Sequence, residues 1–352
     1  MDSLKDFTNI VYKKQNLTEK QVVACIDHLT SENIDVQDKE DFLTFLAKKG
    51  ESTEEIASFI NYFRILSKDP ELNEFENHAI DLCGTGGDKA GSFNISTFVA
   101  FIIASSGIPV IKHGNRSISS KCGSADLLEA IGIPLELRND QLRESVQKLN
   151  FTFLFAPSFH PAFKNLASVR KKLAAQGVIT IFNILGPMIN PARPGHQLLG
   201  VYSKNLVKKV AKSLSKTGMN AGFVVHGSID EDSEISGVDE VTSSGKNLIC
   251  GFGETKQFQY SDLGPEAFGL THSPISDIKG GNIKDNLKLM NDILIGQAPA
   301  GLYSSIFMNA SLAFLSTGRT KDLGEGVELA KKQIKDGKVK AWLDKVSSFY
   351  SS

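Results

Sequence analysis

The sequence predicts an α/β protein with a small, mainly helical N-terminal domain and a larger α/β domain that has a central, largely parallel sheet. Three observations support this prediction. Helical patterns fill residues 1–70, a polar stretch follows, and from residue 78 short apolar segments alternate with helical ones. Such alternation is typical of parallel sheets. The length of 352 residues agrees with two domains, at roughly 150 residues for each.

Two helix-start signals lie in the N-terminal part of the chain. Thr18 with Gln21, and Ser52 with Glu55, each have the spacing of a capping box, in which two side chains satisfy free backbone N–H groups. Apolar residues follow each box at helical spacing. Residues 68–77 are mostly polar and predict a linker.

The predicted strands and helices of the larger domain follow in order. We expect parallel strands at residues 78–83, 108–112, 151–155, 198–202 and 222–225, and an antiparallel pair at 247–252 and 256–260. We expect helices at 94–106, from Ser124 onwards and at 206–214, with Asn94 as a helix N-cap and further helices near the C-terminus.

Charge and cysteine content exclude several classes of protein. Lys and Arg number 39 against 40 Asp and Glu, a near-balance that argues against a general nucleic-acid binder. The four cysteines lie far apart, which argues against a disulfide framework or a structural zinc site. The N-terminus lacks the apolar core of a signal peptide, and the longest apolar stretch, at 98–104, is too short to span a membrane. We expect a cytoplasmic protein without a nucleic-acid or membrane partner.

A glycine-rich loop follows the first predicted strand. Gly84-Thr-Gly-Gly-Asp88 would let the backbone approach an anion closely and point N–H donors at it. The loop is neither a Walker A motif nor a dinucleotide fingerprint, because Lys89 stands where the third glycine would be. Taken alone, the loop could equally be a tight glycine turn.

Two further polar segments favour the anion-binding interpretation. Asn94, Ser96 and Thr97 stand at the start of a predicted helix, where the helix dipole attracts anions. Residues 112–121, after the second predicted strand, contain three certain cations and a histidine. A charge run is usually a solvated surface. Two such loops at one edge of a sheet, however, predict a site for a ligand with more than one phosphate.

Several short motifs follow one another along the chain. They are Asp-Leu-Cys-Gly-Thr-Gly-Gly-Asp at 81–88, Asn-Ile-Ser-Thr at 94–97, Lys-His-Gly-Asn-Arg at 112–116 and Ser-Ser-Lys-Cys-Gly-Ser-Ala-Asp at 119–126. The pattern continues with His-Pro-Ala at 160–162, Val-Arg at 169–170, and segments 180–187, 190–192, 224–227 and 237–240. In this order, over most of residues 18–320, the motifs closely resemble the anthranilate phosphoribosyltransferase family.

The resemblance implies an activity. The family transfers phosphoribose from phosphoribosyl pyrophosphate (PRPP) to the amine of anthranilate, with Mg²⁺, in tryptophan biosynthesis. It implies a small domain of residues 1–70 joined by a returning segment near 160–195, a large domain of 78–160 and 196–352, and a homodimer. The cleft between the two domains would hold the substrates.

The resemblance also implies site residues. The matching PRPP positions are Gly84, Gly87, Asp88, Ser92, Asn94, Ile95, Ser96, Thr97, Lys112, His113, Gly114, Asn115, Arg116, Ser117, Ile118, Ser119, Ser120 and Ser124. The matching anthranilate positions are Gly84, His113, Asn115 and Arg170, and the matching magnesium ligands are Ser96, Asp239 and Glu240. Catalytic roles are implied for Lys112 at the leaving group, and for Asn115 and Arg170 at anthranilate.

The chain departs from the family pattern in three places. Lys89 replaces a glycine, Ile179 stands at the place of an arginine, and residues 228–236 form an acidic insertion whose Asp230, Glu231 and Asp232 compete as metal ligands. Two other functions stay open on the sequence. One is pyrimidine nucleoside phosphorolysis, known in the same superfamily, and the other is nucleic-acid binding by a catalytically silent relative.

Overall fold

Helices make up the N-terminal part of the protein. The computed structural model describes residues 3–88, 90–116, 121–229 and 237–351. Its first helices are α1 (Leu4–Tyr12), α2 (Glu19–Thr30), α3 (Val36–Lys49) and α4 (Thr53–Ile65). Both predicted capping boxes are present, because Thr18 accepts from the N–H of Gln21 and Ser52 accepts from the N–H of Glu55.

A mixed sheet forms the centre of the molecule. Its strands are β1 (Ile80–Gly84), β2 (Val110–Gly114), β3 (Phe151–Phe155), β4 (His196–Gly200), β5 (Ala221–Ser228), β6 (Gly237–Val238), β7 (Asn247–Gly253) and β8 (Gln259–Leu263). The strand order is β3-β2-β1-β4-β5-β7-β8, and β6 pairs with β5. The neighbouring pairs among β1 to β5 are parallel. The pairs β5–β6, β5–β7 and β7–β8 are antiparallel. The α/β prediction with a largely parallel sheet is confirmed.

Helices cover both faces of the sheet. They are α5 (Ile95–Ser105), α6 (Ser124–Ala130), α7 (Asn139–Leu149), α8 (Ala156–Phe159), α9 (Ala167–Ala175), α10 (Phe182–Leu185), α11 (Lys204–Leu214), α12 (Ile283–Leu294), α13 (Ala300–Ser316), α14 (Leu323–Lys335) and α15 (Lys338–Ser351). Short 3₁₀ turns lie at Asn73–Phe75, Pro161–Leu166, Gly186–Met188, Pro265–Phe268 and Ile275–Ile278.

The alternation of side chains along each strand divides the core between the two faces. On β4, Leu198 packs with α5 and the C-terminal helices, whereas the next residue, Leu199, packs with α11 and the N-terminal helices. The second cluster also contains residues of α9 and α10, so the returning segment near 160–195 packs against α1 to α4. The division into a small and a large domain stays a prediction, because the cluster of the N-terminal helices is continuous with one face of the sheet.

Strand boundaries differ from the predicted ones for local reasons. β1 begins at Ile80 rather than at residue 78, because the N–H of His78 closes a turn onto the carbonyl of Phe75. β2 begins after Pro109, because Ile108 still donates to Ile103 at the end of α5. β8 begins at Gln259, because residues 254–257 form the turn after β7.

The predicted linker at 68–77 is partly folded. Leu72 is 1% exposed and packs in a small core cluster with Leu142 of α7 and Phe159 of α8. All four cysteines are free, as their spacing predicted. Among the described residues, no helix combines the length and the apolar character that a membrane span requires.

Candidate active site

The loops that follow β1 and β2 leave the sheet side by side. The two strands are parallel, with Ile80 opposite Val110, and they end at Gly84 and Gly114. On the other side of β1, β4 ends at Gly200, in register with Gly84. Because the carboxyl ends of parallel strands meet at one edge, the glycine loop and the cationic loop share this edge, as the sequence predicted.

The acidic residues predicted as metal ligands contact the glycine loop directly. A carboxylate oxygen of Asp239 accepts a hydrogen bond of 2.6 Å from the N–H of Gly86, and the N–H of Asp239 donates to Asp88 at 3.3 Å. Glu240 accepts from the N–H of Ser96 at 3.1 Å, at the first turn of α5. The structure therefore brings Asp88, Ser96, Asp239 and Glu240 together.

Glycine is required where Asp239 crosses the strand ends. A Cβ on Gly84 would collide with the carboxylate of Asp239, and a Cβ on Gly200 would overlap its backbone carbonyl. Gly86 and Gly87 have φ of +68° and +83°, a left-handed region that other residues rarely adopt. Sequence reasoning singled out Gly84 and Gly87 but missed Gly200, because its requirement comes from a segment 39 residues away.

The acidic pair, Asp239 and Glu240, is buried, which disfavours its charged form. Asp239 and Glu240 are 9% and 8% exposed. Burial raises the pKa of Asp239, with a further contribution from Asp88, and burial together with Asp239 raises the pKa of Glu240 well above its usual range. A cation placed among the carboxylates of Asp88, Asp239 and Glu240 would stabilise their charged forms.

Lys112 is the nearby cation that the chain itself supplies. It is 1% exposed, and its ammonium donates to the carbonyl of Leu82 and to the hydroxyl of Ser96, the latter at 3.4 Å. Its charge acts on Glu240 and on the buried Asp81. Lys112 therefore lies beneath the strand ends, held by β1 and by Ser96 in the first turn of α5.

The donor set fits a hard cation only in part. In the portion of the chain that the structure describes, no three His, Cys, Asp or Glu side chains converge into a complete metal site. Carboxylate and hydroxyl oxygens are nevertheless the donors that Mg²⁺ prefers, and Mg²⁺ commonly takes one or two protein carboxylates together with substrate phosphates. The residues present therefore fit such a shared arrangement.

The N-terminus of α5 carries the other predicted phosphate contacts. Asn94 is the N-cap, as predicted, but its side chain makes no capping bond. Ile95 and Thr97 are buried, and the Thr97 hydroxyl has no hydrogen-bond partner among the described residues. Ser92, just before the helix, pairs with Lys279 through an isolated bridge.

The cationic loop is organised by internal ion pairs. The Arg116 guanidinium donates to Glu129 at 2.8 and 3.0 Å and to Asp126 at 3.1 Å, both on α6. The side chain of Asn115 accepts from the N–H of Arg116. Ser124 begins α6, beside Gly114. The remaining predicted contacts of this loop, Ser117, Ile118, Ser119 and Ser120, lie outside the described residues.

A series of ring contacts leads from β2 to Arg170. The Nε2 atoms of His113 and His160 lie 3.2 Å apart, and the His160 ring meets Phe163 at 5.8 Å between centroids. The Arg170 guanidinium lies 5.5 Å from the Phe163 ring centre and 5.6 Å from that of Phe182. Arg170, in the returning segment, thus contacts two adjacent aromatic rings, which themselves meet at 5.6 Å between centroids.

Buried polar residues beneath the site were missed by sequence reasoning. Asp81 accepts from the N–H of His113 at 3.3 Å and from the amide of Asn190 at 3.0 Å, and burial raises its pKa to about 6. His160 and Asn190 lie in motifs that carry the family resemblance, but the sequence alone indicated no role for either residue. The sequence signal that could have indicated His160 and Asn190 is a polar residue next to a proline within an apolar segment.

Two of the three departures from the family pattern lie largely outside the described residues. Lys89 and the acidic Asp230, Glu231 and Asp232 are in this group. Ile179 is described, and its side chain is 59% exposed. The helix that contains Arg170, α9, ends at Ala175 and is followed by a turn at Gly177 with φ of +71°.

Comparison with known proteins defines the class first. Residues 76–340 match the family described as "Glycosyl transferase family, a/b domain". A protein of Persephonella marina named anthranilate phosphoribosyltransferase is 39% identical over 348 residues, covering 99% of this chain and 94% of that protein. A protein of a Geobacter species with the same name is 37% identical, covering 96% of each chain. The chain belongs to the anthranilate phosphoribosyltransferase family.

Solved structures agree with this assignment. The crystal structure of anthranilate phosphoribosyltransferase from Thermus thermophilus has a TM-score of 0.85 and 33% identity, covering 99% of this chain and 100% of that one. The enzyme of Saccharomyces cerevisiae in complex with PRPP and Mg has a TM-score of 0.82 at 24% identity, covering 99% and 98%, and shares the fold.

The buried histidine pair predicts a loss of stability in acid. Burial lowers the pKa of His160 to about 4, and burial beside His160 lowers the pKa of His113 well below its usual range. The unfolded chain binds these protons at about pH 6.5. The unfolded state therefore gains protons first as the pH falls, and the folded state loses stability below pH 6.5.

The wild type loses stability when the pH falls from 6.5 to 5. We expect this loss to be about 1–2 kcal/mol smaller in His160→Asn. Urea unfolding at both pH values measures the difference. His78→Asn, at an exposed histidine, is the matched control and should leave the pH dependence unchanged. An identical pH dependence in His160→Asn and wild type would contradict a neutral buried pair.

Proposed function

We propose that this protein transfers the phosphoribosyl group of PRPP to anthranilate, forming N-(5-phosphoribosyl)anthranilate and pyrophosphate in tryptophan biosynthesis. One observation carries the proposal. Asp239 and Glu240 meet the glycine loop and the first turn of α5 at a single edge of the sheet. Backbone donors and buried carboxylates in one place suit a phosphorylated substrate that arrives with a divalent cation.

The PRPP end of the site is built from backbone N–H groups. Gly87 and Asp88 in the glycine loop, and the first turn of α5 with Ser96 and Thr97, provide donors for phosphate oxygens. We propose Ser96, Asp239 and Glu240 as ligands of Mg²⁺, which when bound neutralises charge on the pyrophosphate. Ser92, Asn94 and Ser124 surround the same space. Lys112 holds Ser96 in place and supplies a positive charge beneath the site.

The reaction breaks the bond between C1 of ribose and the pyrophosphate oxygen. Positive charge then develops on the ribose and negative charge on the leaving group, and fixed donors stabilise the latter as it forms. The aryl amine of anthranilate is neutral and nucleophilic at pH 7, so that no strong base is required. The main task of the protein is therefore to place the amine near C1.

We assign Arg170, Asn115 and His113 to the anthranilate end of the site. A guanidinium can bind a carboxylate through two parallel hydrogen bonds, and it stays protonated in proteins. The two rings beside Arg170 restrict its orientation before substrate arrives. Burial keeps His113 neutral, which lets its ring lie beside an aromatic substrate without an added charge.

Arg170, on α9, packs with the N-terminal helices, whereas His113 and the phosphate loops belong to the sheet. We propose that residues 1–70 with the segment near 160–195 form a small domain that closes over the α/β part. Arg170 belongs to this small domain, and the phosphate loops belong to the α/β part. Closure excludes water, which competes with anthranilate for C1. We also propose a cytoplasmic location, since four free thiols suit a reducing compartment; cell fractionation tests that location.

The activity and the role of Arg170 are tested together. With PRPP and Mg²⁺, we expect the wild type to consume anthranilate fluorescence. We expect Arg170→Ala to raise the anthranilate KM roughly 10–100-fold, the value of a lost charge-assisted hydrogen bond, with the PRPP KM little changed. Lys171→Ala, at an exposed neighbour on α9, is the matched control.

Three results would overturn these assignments. Phosphate-dependent release of thymine from thymidine, without consumption of anthranilate, would identify a nucleoside phosphorylase instead. Salt-sensitive binding of DNA without PRPP turnover would favour the nucleic-acid alternative. An unchanged anthranilate KM in Arg170→Ala would remove Arg170 from the site.

The contact between Gly84 and Asp239 predicts a metal-dependent phenotype. A Cβ at residue 84 meets the end of the Asp239 side chain, which can rotate away without unfolding the sheet. We expect Gly84→Ala to raise the Mg²⁺ concentration for half-maximal rate at least tenfold while the Tm falls little. Gly324→Ala on α14, where the added Cβ makes only ordinary contact, is the control. Wild-type Mg²⁺ dependence in Gly84→Ala would argue against Asp239 as a ligand.

We further propose a homodimer formed through the helical domain. Three large apolar side chains there are exposed: Tyr12 by 66%, Ile65 by 64% and Val36 by 46%. Exposed apolar surface of this kind often marks an interface. Light scattering should give twice the chain mass of 38.3 kDa, and Tyr12→Glu should lower that value. A mass of one chain at all concentrations would refute the dimer.

A further inference from the structure

A buried asparagine on α12 contacts the site from the C-terminal half of the chain. Asn286 is 1% exposed. Its amide nitrogen donates to the carbonyls of Gly281 and Asn282, both at 3.0 Å. Its carbonyl oxygen accepts from the backbone N–H of Asn94 at 3.2 Å and from the Asn94 side chain at 3.3 Å. Both donors and both acceptor positions are in use, so only one orientation of the amide satisfies all four partners.

Asn94 receives its orientation from this contact. Its side-chain nitrogen lies between the Asn286 oxygen and the carbonyl of Cys122, at 3.3 Å from each. The Cys122 side chain also interacts with the Asn94 side chain, so that Asn94 is held from two directions. Asn94 thus joins three segments: the start of α5, the loop before α6 and the start of α12.

The chain just before α12 forms a platform under the same segment. Phe93 donates to the carbonyl of Ile278 at 2.8 Å, and Gly280 donates to the carbonyl of Gly91 at 2.9 Å. A Cβ on Gly280 would lie 2.8 Å from the backbone nitrogen of Phe93, so a larger residue would separate the two segments. Residues 278–286 therefore fix both the path of the backbone before α5 and the side chain of Asn94.

We propose that Asn286 is a positioning residue for PRPP, which acts by fixing the side chain of Asn94 and the backbone at the start of α5. The inference rests on the proposed function, because it takes Asn94 as a PRPP contact. Asn286 itself touches no substrate. Its loss affects the binding of PRPP and leaves Arg170, which binds anthranilate from α9, in place.

The substitution Asn286→Leu has a similar size and removes all four hydrogen bonds. We expect the PRPP KM to rise at least tenfold, with the anthranilate KM within twofold of the wild type. Because Asn286 acts through Asn94, adding Asn286→Leu to Asn94→Ala should raise the PRPP KM less than threefold further. Fully multiplicative effects of the two substitutions would overturn the proposal, as would an unchanged PRPP KM in Asn286→Leu.

A control separates positioning from general loss of stability. Thr255 is also buried and bonds to the backbone of Gly222, near the amino end of β5. Thr255→Val should lower the Tm without changing the PRPP KM. An equal change of the PRPP KM in Thr255→Val would show that the effect of Asn286 is merely structural. If Asn286→Leu does not fold, Asn286→Ser serves instead, since its hydroxyl is too short to reach Asn94, and the same changes are expected.

Calorimetry with PRPP and Mg²⁺ distinguishes this proposal from the proposed function. If the wild type binds PRPP but transfers nothing to anthranilate, the proposed function fails. Weaker PRPP binding by Asn286→Leu would then still support the role of Asn286. If the wild type binds no PRPP, both proposals are overturned.

Discussion

The burial of the Asp239 carboxylate against the ends of β1 and β4 is the constraint on which the site depends. The segment that carries it crosses the edge of the sheet so closely that a Cβ at Gly84 would meet the Asp239 carboxylate and a Cβ at Gly200 would overlap its backbone carbonyl. The hydrogen bond from the N–H of Gly86 then fixes the glycine loop. Glu240, one residue later, reaches the first turn of α5. One segment thus positions both the glycine loop and a helix terminus.

A polar network beneath the strands keeps this edge rigid. Asp81, fully buried on β1, binds the backbone of His113 on β2 and the amide of Asn190, which also donates to the carbonyl of Ile111. Burying a carboxylate costs free energy unless it is paired, and Lys112 supplies the charge. The network therefore extends from Lys112 beneath the glycine loop to His113 and His160, whose ring contacts Phe163 beside Arg170.

Local signals explain how much the sequence could predict. Capping boxes, apolar alternation and the glycine loop depend on neighbouring residues, and they placed the helices, most strands and the two loops correctly. The roles of Gly200, Asn190 and Asn286 depend on partners between 39 and 192 residues away, and no local pattern records those partners. The side chain of Asn94 illustrates the limit: its helix N-terminal position was predictable, whereas its bond to Asn286 required the fold.

The cationic loop shows why counting charges does not locate an anion site. Arg116 is bound to Glu129 and Asp126, and Lys112 is buried against a backbone carbonyl, so both cations are already engaged within the protein. At the same edge, the backbone N–H groups of Gly86 and Ser96 hold the carboxylates of Asp239 and Glu240. In the reaction that we propose, fixed backbone dipoles stabilise the pyrophosphate without reorganisation as its charge grows. A leaving group must be stabilised while it forms and released afterwards, and the proposed division of roles serves both requirements: dipoles and a shared cation act at the edge, with Lys112 buried beneath.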